Sequence, residues 1–361
     1  MIKKNPLKYN CTKVLVEDPY NNRDLISKFA KKQRGARIFH TNYNCNLAKD
    51  KTQINKLNSI NNNYNLDPNW ITGFADAESC FGFRIRKTTK LKVKWEIIPY
   101  FFINLSLKDL ILLSNIKEFF KVGFISHSST SVLYQVNSIK SLNDVIIPHF
   151  EQYPLITKKK ADYSLFKMAI DLIRNKEHTS IEGIHKFVQL KSSLNKGLTE
   201  ELKISFPNIT PGERPKVELP NFINPNWFAG FASGEGCFSV EILKSSTHNI
   251  GFRVILKFSV TQHSRDLELL KKFIDFLGGG FIKEHKSTHE FVIVKLPIIT
   301  ENVIPLFKKH PIYGIKSFNF SDFCKIAELM NNKDHLTQNG LNKIIEIKAG
   351  MNKNRKFYVF I

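Results

Sequence analysis

Two glutamates, Glu78 and Glu235, sit at matching places in two copies of one fourteen-residue segment, 157 positions apart. Residues 68–81 read PNWITGFADAESCF and residues 225–238 read PNWFAGFASGEGCF, with nine of fourteen positions identical. Small residues recur four apart in each copy, Gly73 with Ala77 and Gly230 with Gly234. On a helix that spacing puts them on one face, where a second backbone can approach closely. The duplicated helix has an obvious partner in its own copy. Packed side by side, the two helices would bring Glu78 and Glu235 together at their C-terminal ends. Adjacent carboxylates repel unless cations bridge them. Mg²⁺ prefers such oxygen ligands and keeps waters for substrate phosphates. The chemistry that fits is phosphodiester hydrolysis with two or more divalent ions. Asp76 is a tempting third acid, but its counterpart is Ser233. A role needed by both copies cannot rest on it, so local hydrogen bonding is expected.

The elements that must position these acids follow from the same duplication. Asp67 and Asn224 suit N-caps, with Pro68 and Pro225 at the first helical position. Beyond each glutamate the pattern switches to period two, Phe81, Phe83 and Ile85 against Gly82, Arg84 and Arg86, as in a half-buried strand. Phe238, Val240 and Ile242 repeat it. A second strand is expected near 96–105 and 251–260. An amphipathic helix at 109–120 and 266–277, a hairpin at 122–136 and 280–296, and further helices come next. The 157-residue offset holds throughout: Asp109 aligns with Asp266, Gly123 with Gly280, Pro154 with Pro311, Gly183 with Gly340 and Asn195 with Asn352. Matches in constant register over about 130 residues mark a duplicated domain, and two copies suit a pseudo-two-fold pair better than a solenoid. The expected class is α+β, each repeat carrying a four-stranded, largely antiparallel sheet. Four segments result: a polar, weakly ordered extension (1–64), the first repeat (65–197), a linker with four prolines (198–222) and the second repeat (223–361).

Charge indicates the partner. The net charge is +22, and such an excess marks a polyanion, because neutralised phosphates release counterions. No stretch approaches the roughly 20 apolar residues needed to span a bilayer, so no membrane partner is expected. Lysines number 44 against ten arginines, alongside many Asn, Ile and Phe, a bias that fits A/T-rich codons and an organelle gene. The five cysteines form no CxxC pair and no zinc spacing, and buried free thiols are expected.

WITGFADAES and WFAGFASGEG resemble the two signature helices of single-chain LAGLIDADG homing endonucleases of the fungal mitochondrial intron-encoded type. The resemblance extends through FSVTQH, GFIKEH and PLITKKKADYSLFK, over roughly residues 65–355. It implies two αββαββα halves forming a saddle on double-stranded DNA, with the sheets in the major groove. It also implies a monomer that cuts both strands of a long asymmetric site with Mg²⁺, leaving short 3′ overhangs, in the mitochondrial matrix. Intron homing would be its role. Glu78 and Glu235 become the catalytic acids and metal ligands, with the carbonyls of Ala77 and Gly234 as secondary ligands. Relatives of the family also act as RNA maturases, so the chain's own intron RNA is a second candidate partner. A non-cleaving DNA-binding relative is a third reading.

Two departures stand in the first half: Ser79 replaces the usual Gly, retained as Gly236, and Phe102 is taken to occupy a strand position where relatives place Gln. DNA contacts are expected on the strand face away from the core. In the first repeat these are Cys80, Gly82, Arg84 and Arg86, then Thr88 and Lys90. In the second they are Cys237, Ser239, Glu241 and Leu243, then Ser245. Arg suits bidentate reading of guanine, and Ser, Thr or Glu other base edges. Lys283, in GFIKEH, is expected near the scissile phosphates.

Overall fold

The computed structural model describes residues 64–355. The extension expected over residues 1–64 lies almost wholly outside them, as do Cys11 and Cys45. In the first repeat, helix α1 (Pro68–Glu78) leads directly into β1 (Ser79–Lys87) and β2 (Trp95–Ser106). Helix α2 (Leu110–Phe120) and the hairpin β3 (Phe124–His127) and β4 (Ser131–Val136) follow. The repeat continues through α3 (Ile147–Gln152), α4 (Lys159–Arg174) and α5 (Ile181–Ser192). A short helix α6 (Glu200–Ser205) opens the connection to the second repeat. There α7 (Pro225–Glu235), β5 (Gly236–Lys244), β6 (Phe252–His263) and α8 (Leu267–Phe276) retrace the pattern. They are followed by β7 (Phe281–Glu284), β8 (Thr288–Ile293), α9 (Ile304–Lys309), α10 (Lys316–Asn331) and α11 (Gln338–Ala349).

Both sheets are antiparallel and four-stranded, ordered β1-β2-β4-β3 and β5-β6-β8-β7. Their registers match at the 157-residue offset: Cys80 pairs with Phe102, and Cys237 with Ser259. The α+β expectation and the doubled αββαββα order are therefore met. One face of each sheet carries a Phe-rich core. Phe81 packs edge-on against Phe150 with ring centroids 5.0 Å apart, and Phe238 similarly meets Phe307 at 5.6 Å.

The duplicated Asn195 and Asn352 explain why that pair persists in both copies. Each sits in the left-handed region, with φ of 51° and 52°. Their side-chain amides donate to the carbonyls of Phe81 and Phe238, at 2.9 and 3.0 Å, clipping the end of each repeat to its first strand. The linker begins differently from the sequence expectation. Thr199 caps α6, and Leu202 and Phe206 are buried with Phe83, Trp95 and Phe187 in the first repeat's core. The first-repeat core thus takes in part of the segment assigned to the linker. Cysteine burial is also corrected: Cys237 is exposed, and Cys80 and Cys324 are half-buried. Cys80 and Cys237 alternate with the core phenylalanines, which puts them on the far face of their sheets.

Helices α1 and α7 touch backbone to backbone. A Cβ added at Gly73 would lie 1.9 Å from the Trp227 carbonyl oxygen, and one at Gly230 would lie 2.0 Å from that of Trp70. Only glycine allows this separation. Gly230→Ala is expected to destabilise the fold by about 2–3 kcal/mol through overpacking, read in a denaturant melt. An unchanged midpoint would mean that the helices sit further apart than described.

Candidate active site

Each signature helix starts on a side-chain cap. Asp67 Oδ1 accepts from the Asn69 amide at 2.8 Å, and Asn224 Oδ1 from the Asn226 amide at 2.8 Å. Eleven residues on, each helix ends at its glutamate and the chain turns straight into a strand. Glu78 lies against the partner helix: a Cβ on Gly234 would come within 3.2 Å of its Oε1 and 2.4 Å of the Ala77 Cβ. The geometry thus brings Glu78, Glu235, Ala77 and Gly234 into one site.

Two lysines complete it. Lys159, the first residue of α4, donates from Nζ to the carbonyls of Ala75 (3.0 Å), Ala77 (3.3 Å) and Ser79 (2.6 Å). Lys316, the first residue of α10, donates to the Gly234 carbonyl. The carbonyls of Ala77 and Gly234 therefore accept lysine hydrogen bonds, and each retains a second lone pair. Lys159 and Lys316 are 157 apart and lie within the stretch whose resemblance was noted, so the constant offset alone could have found them.

The electrostatics are those of a compressed charge cluster. Burial pushes the Glu235 carboxyl up to about 7; repulsion from Glu78 adds to the rise, while Lys316 and a hydrogen bond from Gln262 oppose it. Glu78 is likewise raised by burial, opposed first by Lys316 and then by Lys159. Burial lowers both lysines, opposed first by Asp76 for Lys159 and by Glu78 for Lys316. Among the described residues no group of three or more His, Cys, Asp or Glu side chains could hold a metal. The available donors are thus two carboxylates and backbone carbonyls, an all-oxygen set that fits a hard cation retaining waters.

Asp76 is indeed structural. It accepts from the amides of Ile156 (2.9 Å) and Thr157 (3.3 Å), the Thr157 hydroxyl (2.6 Å) and the Trp227 indole of the other repeat (2.8 Å). Ser79 is accommodated because its buried hydroxyl donates to the Ala75 carbonyl at 2.6 Å. Phe102 is corrected. The side chain that hydrogen-bonds Glu235 is Gln262, whose counterpart is Leu105, whereas Phe102 corresponds to Ser259. The expected position on β2 lies three residues before Leu105. Phe102 lies beside Tyr100 instead, with ring centroids 5.4 Å apart.

The strand residues expected to meet DNA occupy varied settings. On β1, Arg84 is exposed, Arg86 is exposed but ion-paired to Glu96 (Nε to Oε2 3.1 Å), and Cys80 is half-buried. Gly82 is buried beneath Tyr100, whose Oη would be 2.7 Å from an added Cβ. Thr88 Oγ1 accepts from the amide of exposed Lys90 at 3.3 Å. On β5, Ser239 Oγ donates to the Lys257 carbonyl at 3.4 Å, Glu241 pairs with Lys257 at 3.6 Å, and Leu243 is exposed. In the loop beyond, Ser245 bonds His248 Nδ1 at 2.8 Å. Lys283 stands on the edge strand β7, lining a surface depression with Glu241, Arg253 and Lys257. Tyr100 and Lys257 stand opposite Gly82 and Ser239 on the second strand of each sheet, a register that alternation along the first strand does not reveal.

Comparison with known proteins agrees with this geometry. Residues 71–170 and again 228–327 match the LAGLIDADG endonuclease family. The chain is 40% identical over 314 residues to probable intron-encoded endonuclease 2 of Neurospora crassa, covering 80% of this chain and 68% of that protein. It is similar to the I-SmaMI LAGLIDADG homing endonuclease bound to cleaved DNA, with TM-score 0.79 and 40% identity over 80% of this chain and 98% of that one. It is also similar to I-SmaMI bound to an uncleaved DNA target with calcium ions, with TM-score 0.78 and 41% identity over 80% and 99%. A family match to each repeat, together with paired helices ending in two acids, leads to one conclusion: this chain belongs to the LAGLIDADG endonuclease family.

Proposed function

We propose that the protein is a site-specific double-strand DNA endonuclease serving intron homing, acting as a monomer on a long asymmetric site in the mitochondrial matrix. The observation that carries this reading is the half-buried pair Glu78 and Glu235, raised by burial and flanked by Lys159 and Lys316. Two carboxylates held in such surroundings cost the fold stability that the two lysines offset only in part, and an entering cation would offset more. Glu78 and Glu235, with the Ala77 and Gly234 carbonyls, would hold Mg²⁺, two or more ions in all. Bound there, Mg²⁺ supplies Lewis-acid stabilisation of developing negative charge and a nucleophile at neutral pH. The residues of the chain do the remaining work. The helix pair fixes the spacing of the acids. Lys159 and Lys316 offer positive charge already oriented by carbonyls, where the scissile phosphates become more negative. Gln262 orients the Glu235 carboxyl.

Recognition falls to the sheet faces. Cys80, Arg84, Arg86, Thr88 and Lys90 differ from Cys237, Ser239, Glu241, Leu243 and Ser245, which suits half-sites of different sequence, whereas Gly82 is covered by Tyr100. Among these, Arg84 is exposed and in none of the described ion pairs, so it is best suited to guanine. Lys283 suits a backbone phosphate. A role confined to binding intron RNA or uncut DNA would not need both acids. The test is incubation with DNA of the uninterrupted host gene. Discrete double-strand cleavage with Mg²⁺, lost on adding EDTA, is expected. Binding without any cleavage would sink the nuclease reading.

A further inference from the structure

Each site lysine opens a helix whose N-terminal amide is capped by the opposite repeat. Asp109, at the end of the turn before α2, accepts through Oδ1 from the Ile315 amide at 2.8 Å. Asp266, its counterpart, accepts through Oδ1 from the Lys158 amide at 2.8 Å. Ile315 and Lys158 are the N-cap residues of α10 and α4, and neither has a side-chain cap of its own. They immediately precede Lys316 and Lys159. A helix start leaves backbone amides without intrahelical partners, and here the carboxylate comes from across the repeat boundary. The loop before α10 is shaped to admit it. Gly314 has φ of 72°, and a Cβ there would lie 2.6 Å from Asp109 Oδ1. Asp266 is itself buried, so its bond is shielded from competing water.

We propose that Asp109 and Asp266 are positioning residues acting across the repeats: Asp109 sets Lys316, and Asp266 sets Lys159. This rests on the nuclease reading above and extends it. Without the carboxylate, the amide at the helix start is left unsatisfied and the first turn relaxes, carrying its lysine away from the Gly234 or Ala77 carbonyl. A displacement of about 1 Å in a positioning group can cost up to about a hundredfold in rate. If each lysine serves chiefly one strand, each aspartate controls the strand served by the lysine of the other half.

The experiment measures cleavage of the two strands separately on end-labelled target DNA with the full chain and Mg²⁺. Asp109→Ala is expected to slow one strand roughly tenfold more than the other, and Asp266→Ala to slow the opposite strand. Asp109→Ala should share its strand with Lys316→Arg, and Asp266→Ala with Lys159→Arg. Asp109→Asn keeps an acceptor oxygen for the Ile315 amide and should restore the wild-type strand ratio. Gly314→Ala, which drives a Cβ onto the same Asp109 oxygen, should skew the same strand as Asp109→Ala. The ratio is taken within one molecule, so partial unfolding lowers both rates and leaves it unchanged. An unchanged ratio, a skew of the same strand by both aspartate variants, equal effects of a lysine variant on both strands, or an Asn variant as skewed as Ala overturns the proposal. Failure of the wild type to cut would instead count against the nuclease reading.

Discussion

Glu78→Gln and Glu235→Gln should each lower cleavage by about a thousandfold or more while leaving DNA affinity in Ca²⁺ within about twofold. Glutamine keeps the shape of the side chain and loses the charge that a cation needs. The helix pair should be undisturbed, because its closeness depends on Gly73 and Gly230 rather than on the acids. Stability provides a second readout. In metal-free protein Glu235 is raised to about 7 in the fold from an ordinary 4.5. The folded state therefore holds its proton more tightly than the unfolded chain. The stability this confers is present at low pH and is lost as pH rises through about 7. Above that, the buried charge opposes folding, and Glu235→Gln removes the opposition. Without divalent ions the variant should melt higher than wild type at pH 8, with a smaller advantage at pH 5. Adding Mg²⁺ should stabilise wild type more than the variant. A variant that retains more than a few per cent of wild-type cutting would sink the assignment of the acids.

How much of this was legible in the sequence depends on whether the 157-residue offset reached it. Helix, strands and caps recur in register, so the two sheets and the acid pair could be read directly. Lys159 lies among three consecutive lysines, 158–160, which hides it within a general basic run. The offset singles it out, since Lys158 aligns with Ile315 and Lys160 with Ser317, while only Lys159 meets a lysine. Gln262 is hidden for the opposite reason: its counterpart Leu105 breaks the pairing, and no repeated residue fixes the strand register there, which is why the expectation fell on Phe102. Asp109 did align with Asp266, but its bond to Ile315 spans 206 residues between repeats. No local periodicity encodes such a contact. Strand alternation places Cys237 on the face away from the core, and its exposure follows that pattern rather than the usual burial of free cysteine.

Lys159→Met and Lys316→Met should each lower double-strand cleavage by about a hundredfold, with binding to DNA in Ca²⁺ weakened much less. Methionine approximates the length of the stem and removes only the charged, donating end. The two variants should nevertheless differ in stability. Lys159 satisfies three carbonyls, of Ala75, Ala77 and Ser79, whereas Lys316 satisfies that of Gly234. Losing Lys159 should cost about 1–3 kcal/mol in unsatisfied acceptors, and losing Lys316 less. The acids respond in the reverse order. Lys316 is the largest influence lowering Glu78, ahead of Lys159, so its loss leaves Glu78 protonated to a higher pH. The acid limb of the pH–rate profile should therefore move upward further for Lys316→Met than for Lys159→Met. Supercoiled plasmid substrate should accumulate nicked circles with either variant, as one strand falls behind the other. Equal stabilities, combined with pH profiles that do not move, would mean that the lysines only fill space beneath the acids. The charge cluster at the foot of the paired helices would then need a different explanation.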